Sequence, residues 1–106
     1  YNDFPDYNDV VTNDNQLVYN VNNECKLIVK HDGENVNGVE FYYDFHDKAT
    51  ADNMYSQVLE KYQDISGFDK IVQYEGYLKV LFNEEYYGGQ TVEAFKEVYS
   101  QYYNLV

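Results

Sequence analysis

The chain of 106 residues contains no arginine, no tryptophan and only one cysteine, Cys25. A single cysteine permits no disulfide within the chain, so the fold has to be stabilised by its core alone. Without arginine the chain lacks the planar group that binds phosphates and carboxylates through two parallel hydrogen bonds. There is also no P-loop and no GxGxxG motif. These absences disfavour nucleotide binding and phosphoryl transfer.

The sequence has little positive charge and no long apolar run. Seven lysines stand against 19 acidic residues, which gives a net charge of -12. Nucleic acids and anionic lipids bind mainly through basic side chains, so we expect neither as a partner. No apolar run approaches the roughly 18 residues that a membrane-spanning helix requires. We therefore expect no direct membrane insertion of this chain.

The composition and length favour one domain behind an acidic arm. A chain of this size suits a single core, and 14 tyrosines contribute to a hydrophobic fraction of 44%. Residues 1–15 carry four aspartates, four asparagines and the only proline, without any lysine. This composition is typical of an extended or disordered segment. We predict a flexible acidic arm over residues 1–15 and a single domain over residues 16–106.

Alternating apolar residues predict three strands in the first half of the chain. Two short runs of period 2 flank Asn22 and Asn23, which favour a turn between them. A third run after the loop places Val39, Phe41, Tyr43 and Phe45 on one face, and Glu40, Tyr42, Asp44 and His46 on the other. We expect the first face to pack on a core and the second to meet water.

The spacing changes after Asp47 and predicts the remaining elements. Apolar residues at helical spacing indicate a helix over 51–62 with Thr50 as N-cap. A second hairpin, 68–74 and 77–82, turns at Glu75 and Gly76, and Thr91 caps a last helix whose stripe reaches Tyr102. These elements predict an α+β fold: a mostly antiparallel sheet of four or five strands, in the order β-β-β-α-β-β-α, with two helices packed on one face.

Three stretches of the second half resemble a known family. They are ADNMYSQVLEKYQDI, then SGFDKIVQYEGYLKVLFNEEYY, then TVEAFKEVY. A helix ending in Lys-Tyr, a short Gly-containing link, a hairpin and a capped helix resemble the YehR-like small bacterial lipoproteins of uncharacterised function. YYGGQ looks like an insertion relative to that pattern, and the Lys-rich character common in such lipoproteins is absent. The resemblance implies an exported protein that was anchored to a membrane by a removed segment before Tyr1; a chain without that anchor is expected in the cytoplasm.

Few residues suggest catalysis or metal binding. Asp44 and His46 project from one face at the end of the third strand, but two ligands are too few for a typical zinc site. Solvated residues at a strand end explain them better. Cys25 alternates with Leu27 and Val29, which predicts a buried apolar role rather than a nucleophile. We therefore expect no enzyme activity and no cofactor.

The tyrosines divide into predicted core and predicted surface groups. The core group shares apolar stripes: Tyr43, Tyr55, Tyr62, Tyr99 and Tyr102. The surface group is Tyr42, Tyr74 or Tyr77, Tyr86, Tyr87 and Tyr103. Exposed tyrosine beside glycine and carboxylates is typical of recognition surfaces. Glu84, Glu85, Tyr86 and Tyr87 are thus the candidate binding residues, although an ordinary loop packing back on the domain would have the same sequence.

Two functions remain open at this point. The first is a non-enzymatic extracytoplasmic binding or accessory module, whose partner is a protein or a cell-envelope ligand. The second is an acidic inhibitor or immunity-type protein, which neutralises a basic protein by presenting carboxylates where nucleic-acid phosphates would lie.

Overall fold

In a computed structural model, which describes residues 4–106, six strands form one antiparallel sheet with the spatial order β4-β5-β3-β2-β1-β6. The chain order of the elements is β1 (Gln16–Asn22), β2 (Cys25–His31), β3 (Val36–Asp44), α1 (Lys48–Tyr62), β4 (Phe68–Tyr74), β5 (Tyr77–Phe82), α2 (Glu84–Tyr87), α3 (Val92–Tyr99) and β6 (Asn104–Leu105). A single 3-10 turn, Tyr7–Asp9, precedes β1.

The mixed α and β content and the antiparallel pairing confirm the predicted fold class. The predicted numbers of elements are too low, because the described residues contain six strands and three helices. The two missed elements are short: β6 has two residues and α2 has four. Segments of this length contain about one period and therefore no repeat of either pattern, so the sequence could not indicate them.

The helices begin at side chains that accept hydrogen bonds from their first turns. Thr91 caps α3 as predicted, and its Oγ1 accepts a hydrogen bond of 3.1 Å from Ala94 N. The predicted cap of α1 is wrong: Asp47 Oδ1 accepts a hydrogen bond of 2.7 Å from Thr50 N, so α1 begins at Lys48. A capping side chain can be exposed, and the negative charge of Asp47 is favourable at the positive end of the α1 dipole.

One face of the sheet, which we call the helix side, packs against α1, α2 and α3. Its cluster combines residues of β1 to β3, odd-numbered apart from Val36, with Phe45 and with residues of β4, β5 and the helices. The cluster is Leu17, Tyr19, Cys25, Leu27, Val29, Val36, Val39, Tyr43, Phe45, Ala51, Val58, Tyr62, Ile71, Leu78, Val80, Phe82, Tyr87 and Phe95. The predicted core face of β3 is confirmed for Val39 and Tyr43, which are buried here.

The other face, which we call the segment side, is covered by residues 4–10, the N-terminal segment. A second buried cluster forms there from Phe4, Tyr7, Val10, Val18, Ile28 and Tyr42. The expectation that this face of β3 meets water is wrong for Glu40 and Tyr42, which are 7% and 0% exposed. The packed part of the chain therefore includes residues before Gln16.

The predicted arm falls partly on this segment. Its residues 1–3 lie outside the described residues, whereas three apolar side chains within residues 4–10 are buried. Flexibility of the arm stays a prediction, for which hydrogen exchange is the appropriate measurement.

Candidate functional site

The predicted binding residues form α2, a single helical turn between β5 and α3. The side chain of Asn83 begins this turn, because its Oδ1 accepts a hydrogen bond of 3.0 Å from Glu85 N. The turn is seated directly on Gly67, where an added Cβ would lie 2.5 Å from Tyr86 Cβ. Gly67 also has a φ of +92°, which favours glycine. The site is therefore a tightly placed helical turn and not an open loop.

The two tyrosines of α2 face the core, so their predicted exposure is wrong for Tyr87 and only partly right for Tyr86. Tyr87 is 9% exposed and belongs to the helix-side cluster. The Tyr86 ring stacks on Phe82 with centroids 4.5 Å apart, and its hydroxyl lies 2.9 Å from the Tyr99 hydroxyl. Once α2 forms, its helical spacing turns these rings towards the sheet.

The glutamates of α2 are the exposed part of the predicted site. Glu84 and Glu85 both face solvent at the first turn of α2, where the helix end favours negative charge. Ser66 Oγ donates a hydrogen bond of 2.7 Å to Glu85 Oε1 and so links the turn to the loop after α1. The outer surface of α2 is thus two adjacent carboxylates beside a half-buried tyrosine.

The remaining tyrosines follow the sequence prediction in part. Tyr43 and Tyr62 are buried, and Tyr55 and Tyr99 are half-buried against the helix-side cluster. Tyr74 is exposed, and Tyr77 and Tyr103 are half-buried. The prediction is wrong for Tyr102, which is 72% exposed, and for Tyr42, which is fully buried. Tyr102 misses the core because α3 ends at Tyr99.

Asp44 and His46, the weak metal candidates, contact each other but gather no third ligand. His46 Nδ1 lies 3.7 Å from Asp44 Oδ2, and His46 N donates a hydrogen bond of 2.8 Å to Asp44 Oδ1. Within residues 4–106, no three His, Cys, Asp or Glu residues are grouped so that they could hold a metal ion. The local geometry is that of a turn closing the end of β3.

The thiol of Cys25 is buried on the helix side, as its position in the strand pattern predicts. Cys25 is fully buried, and burial raises the pKa of its thiol to about 12. The nearby Tyr43 and Tyr62 hydroxyls lie 2.6 Å apart, and burial likewise raises the pKa of Tyr62 to about 12. A thiol in this setting stays protonated near neutral pH and cannot act as a nucleophile.

Lysines and acidic residues are unevenly distributed over the structure. Every lysine lies in a helix or a strand: Lys26, Lys30, Lys70 and Lys79 in strands, and Lys48, Lys61 and Lys96 in helices. Nine described acids lie outside these helices and strands: Asp6, Asp9, Asp14, Glu24, Asp32, Glu34, Asp47, Asp64 and Glu75. Most of the net negative charge therefore resides in loops and in the N-terminal segment, the helices add six acids against three lysines, and the sheet carries four of the seven lysines.

The four strand lysines gather on the segment side, which the sequence analysis missed. Glu40 lies between two of them, with Oε1 3.3 Å from Lys79 Nζ and Oε2 3.7 Å from Lys30 Nζ. Register brings Lys26 and Lys79 next to Tyr42 on either side. The alternation of Lys26, Ile28 and Lys30 in β2 indicates that these side chains share one face of the sheet. It does not indicate that residues 4–10 cover this face.

The helices of the described residues are short. The longest, α1, has 15 residues and a polar outer surface. Within residues 4–106, no helix has both the length and the apolar character needed to cross a membrane.

Comparison with known proteins adds no family to this description. The chain matches no protein-family model, no curated protein and no solved structure at a significant level.

Proposed function

We propose that the protein is a non-enzymatic binding module whose helix side contacts a protein or a cell-envelope ligand around Glu84 and Glu85. The observation that carries this proposal is the rigid placement of two exposed carboxylates on α2, fixed by Gly67, Asn83 and the packed ring of Tyr86. Because the backbone of α2 is already held in place and Glu85 is bound by Ser66, this surface loses less conformational freedom on binding than a mobile loop would.

The proposed location is outside the cytoplasmic membrane of a bacterium. Support comes from the resemblance of residues 51–99 to YehR-like lipoproteins, which implies an anchor before Tyr1. Reading the codons upstream of Tyr1 in the gene is the direct test. A signal sequence with a lipid-modified cysteine would support this location, whereas a start codon immediately before Tyr1 would contradict it.

Charge-neutral variants test the proposed surface. Glu84→Gln together with Glu85→Gln keeps shape and removes two charges, and Glu24→Gln together with Glu34→Gln removes two exposed loop charges as a matched control. Binding is measured by co-sedimentation with isolated bacterial cell walls and by titration with cytochrome c as a basic protein probe. We expect about tenfold weaker binding only for the α2 variant. Equal weakening by both variants would contradict the assignment to α2.

A second function, the acidic inhibitor of a basic protein, is favoured by the nine described acids outside helices and strands, in segments that contain no lysine of their own. Such a protein would present carboxylates in place of phosphates. The test is inhibition of a basic nuclease over a range of salt concentrations. Inhibition should weaken steeply as salt rises, because exposed charges are screened. Tight binding that persists at high salt would contradict this function.

A further inference from the structure

The N-terminal segment is bound to the segment side largely through its backbone. Lys26 Nζ donates hydrogen bonds of 2.6 Å to Tyr7 O and 3.2 Å to Val10 O, and the Tyr42 hydroxyl donates one to Pro5 O. Backbone carbonyls are present in any peptide. The sheet therefore recognises the path of this segment through atoms that do not depend on its sequence.

Three anchors at a spacing of three residues fix the segment in place. Phe4, Tyr7 and Val10 are 8%, 7% and 5% exposed, and both aromatic rings meet Tyr42 edge to face. Lys26 Nζ also lies 4.5 Å from the Tyr7 ring centroid, a distance at which a cation and a ring attract each other. The sheet thus binds the segment through the Tyr42 ring, the Lys26 amine and the apolar side chains of the segment-side cluster.

Charge complementarity accompanies these anchors. Asp6 and Asp9 act on Lys26 and favour its charged form, against the burial that lowers its pKa. Beyond the segment, Lys30 and Lys70 line a cavity of about 270 Å³ beside Phe4. Glu40 also lines this cavity and pairs with Lys30, whereas Lys70 forms no ion pair within residues 4–106, so the charge of Lys70 remains for a more acidic peptide.

The fit of the segment is imperfect at Tyr7. Its hydroxyl is buried and has no hydrogen-bond partner among the described residues. A buried polar group without a partner opposes binding, because it loses its water and gains nothing in return. A peptide with phenylalanine at this position would avoid that cost.

We propose that the segment side is a binding site for an acidic peptide segment of a partner protein, with apolar anchors three residues apart. Residues 4–10 occupy this site within the same chain and compete with the partner. This inference is independent of the binding surface proposed at α2, since the two lie on opposite faces of the sheet.

Titration with synthetic peptides tests the proposal. The probes are the peptide YNDFPDYNDVVTNDN, the same peptide with Tyr7→Phe, and a control with Phe4→Ala and Tyr7→Ala that keeps every aspartate. The proteins are the full chain and its Phe4→Ala, Tyr7→Ala variant, whose own segment is weakened. Amide NMR shifts report the site, with Ile28 on the segment side and Leu27 on the helix side of the same strand.

We expect saturable shifts at Lys26, Ile28 and Tyr42, and at least tenfold tighter binding to the weakened variant than to the full chain. The Tyr7→Phe peptide should bind at least about fivefold more tightly than the parent peptide. Should the weakened variant not fold, the full chain supplies the readout: the Tyr7→Phe peptide should lower hydrogen-exchange protection at Asp9 and Val10.

Three results would overturn the proposal. The first is that no peptide binds saturably to the folded weakened variant. Where that variant does not fold, the equivalent result is that the Tyr7→Phe peptide leaves protection of Asp9 and Val10 unchanged in the full chain. The second is equal binding of the alanine control, which would reduce the effect to charge. The third is a dimer formed by segment exchange between two copies, detected by light scattering, which would make a second copy the occupant.

Discussion

The two faces of the sheet are buried in different ways. The helix side contains eighteen buried residues contributed by strands and by all three helices, whereas the segment side contains six, three of which belong to the N-terminal segment. Apolar area removed from water stabilises both faces, but the covering layer of the segment side is a stretch of seven residues with three buried apolar side chains. The comparison teaches that one sheet can be covered by helices on one face and by a short segment without regular strand or long helix on the other.

Alkaline pH should produce the largest effect, and it should act through the helix side. The ordinary thiol pKa is 9.0, and burial raises the Cys25 pKa to about 12. Below pH 9 both folded and unfolded chains keep the proton. Between pH 9 and 12 the unfolded chain releases it first, so stability falls, by about 4 kcal/mol for Cys25 alone at the top of this range.

Urea unfolding from pH 7 to pH 12 measures this loss. Cys25→Ala is the matched control, and its stability should fall less steeply above pH 9, because the thiol no longer contributes. An identical slope in both proteins would show that the thiol is not protected by the fold.

Neighbouring residues of β2 compare the two faces directly. Leu27 points to the helix side and Ile28 to the segment side, and they are 0% and 3% exposed. Leu27→Ala should lower the free energy of unfolding by about 3 to 4 kcal/mol, and Ile28→Ala by about 2 kcal/mol, since the N-terminal segment can relax into the cavity. Thermal and urea unfolding check both values. Equal costs would mean that the segment is as rigid as the helical layer.

Removing the amine of Lys26 should release the segment without disturbing the helix side. Lys26→Met keeps the apolar stem and loses the two hydrogen bonds to Tyr7 O and Val10 O. Hydrogen bonds from a charged group contribute roughly 1.5 to 3 kcal/mol, so protection of the Asp9 and Val10 amides should fall at least tenfold. Hydrogen exchange followed by NMR measures this change. Lys48→Met, on the surface of α1, is the control and should leave that protection unchanged.

The smallest effect is expected at the end of α3. Tyr102 is 72% exposed and lies after the helix, whereas the Tyr99 ring stacks on Phe95 with centroids 5.5 Å apart. Tyr102→Ala should change the free energy of unfolding by less than about 0.5 kcal/mol, and Tyr99→Ala should cost several times more. Chemical denaturation of the two variants decides. A large cost at Tyr102 would restore it to the core stripe that its spacing predicts.

The sequence predicted the elements that contain enough residues to show a period. Alternation indicated β1 to β5, and helical spacing indicated α1 and α3, because each of these elements repeats apolar residues on the face that packs in the helix-side cluster. Asn83 to Gln90 was predicted as a loop because four residues of α2 show no repeat. Tyr87 is buried because α2 is helical, so its burial could not be predicted from a sequence that does not indicate this helical turn.

The cover of the segment side could not be predicted from local pattern. Phe4, Tyr7 and Val10 are three residues apart, a spacing that fits neither the period of a strand nor that of a longer helix. The aspartates and asparagines between them indicate a disordered arm. Burial of Tyr42 depends on that arm, some 35 residues away in the chain, so the even-numbered face of β3 was predicted to meet water.

The confinement of all seven lysines to helices and strands has a consequence for proteolysis. Trypsin cleaves after lysine or arginine and requires several residues around the bond to be unfolded, and this chain has no such residue in any described loop. A protease that cleaves after glutamate meets Glu24, Glu34 and Glu75 in exposed turns. The rate of tryptic digestion therefore reports unfolding of whole elements in this protein, while cleavage after glutamate reports motion of its turns.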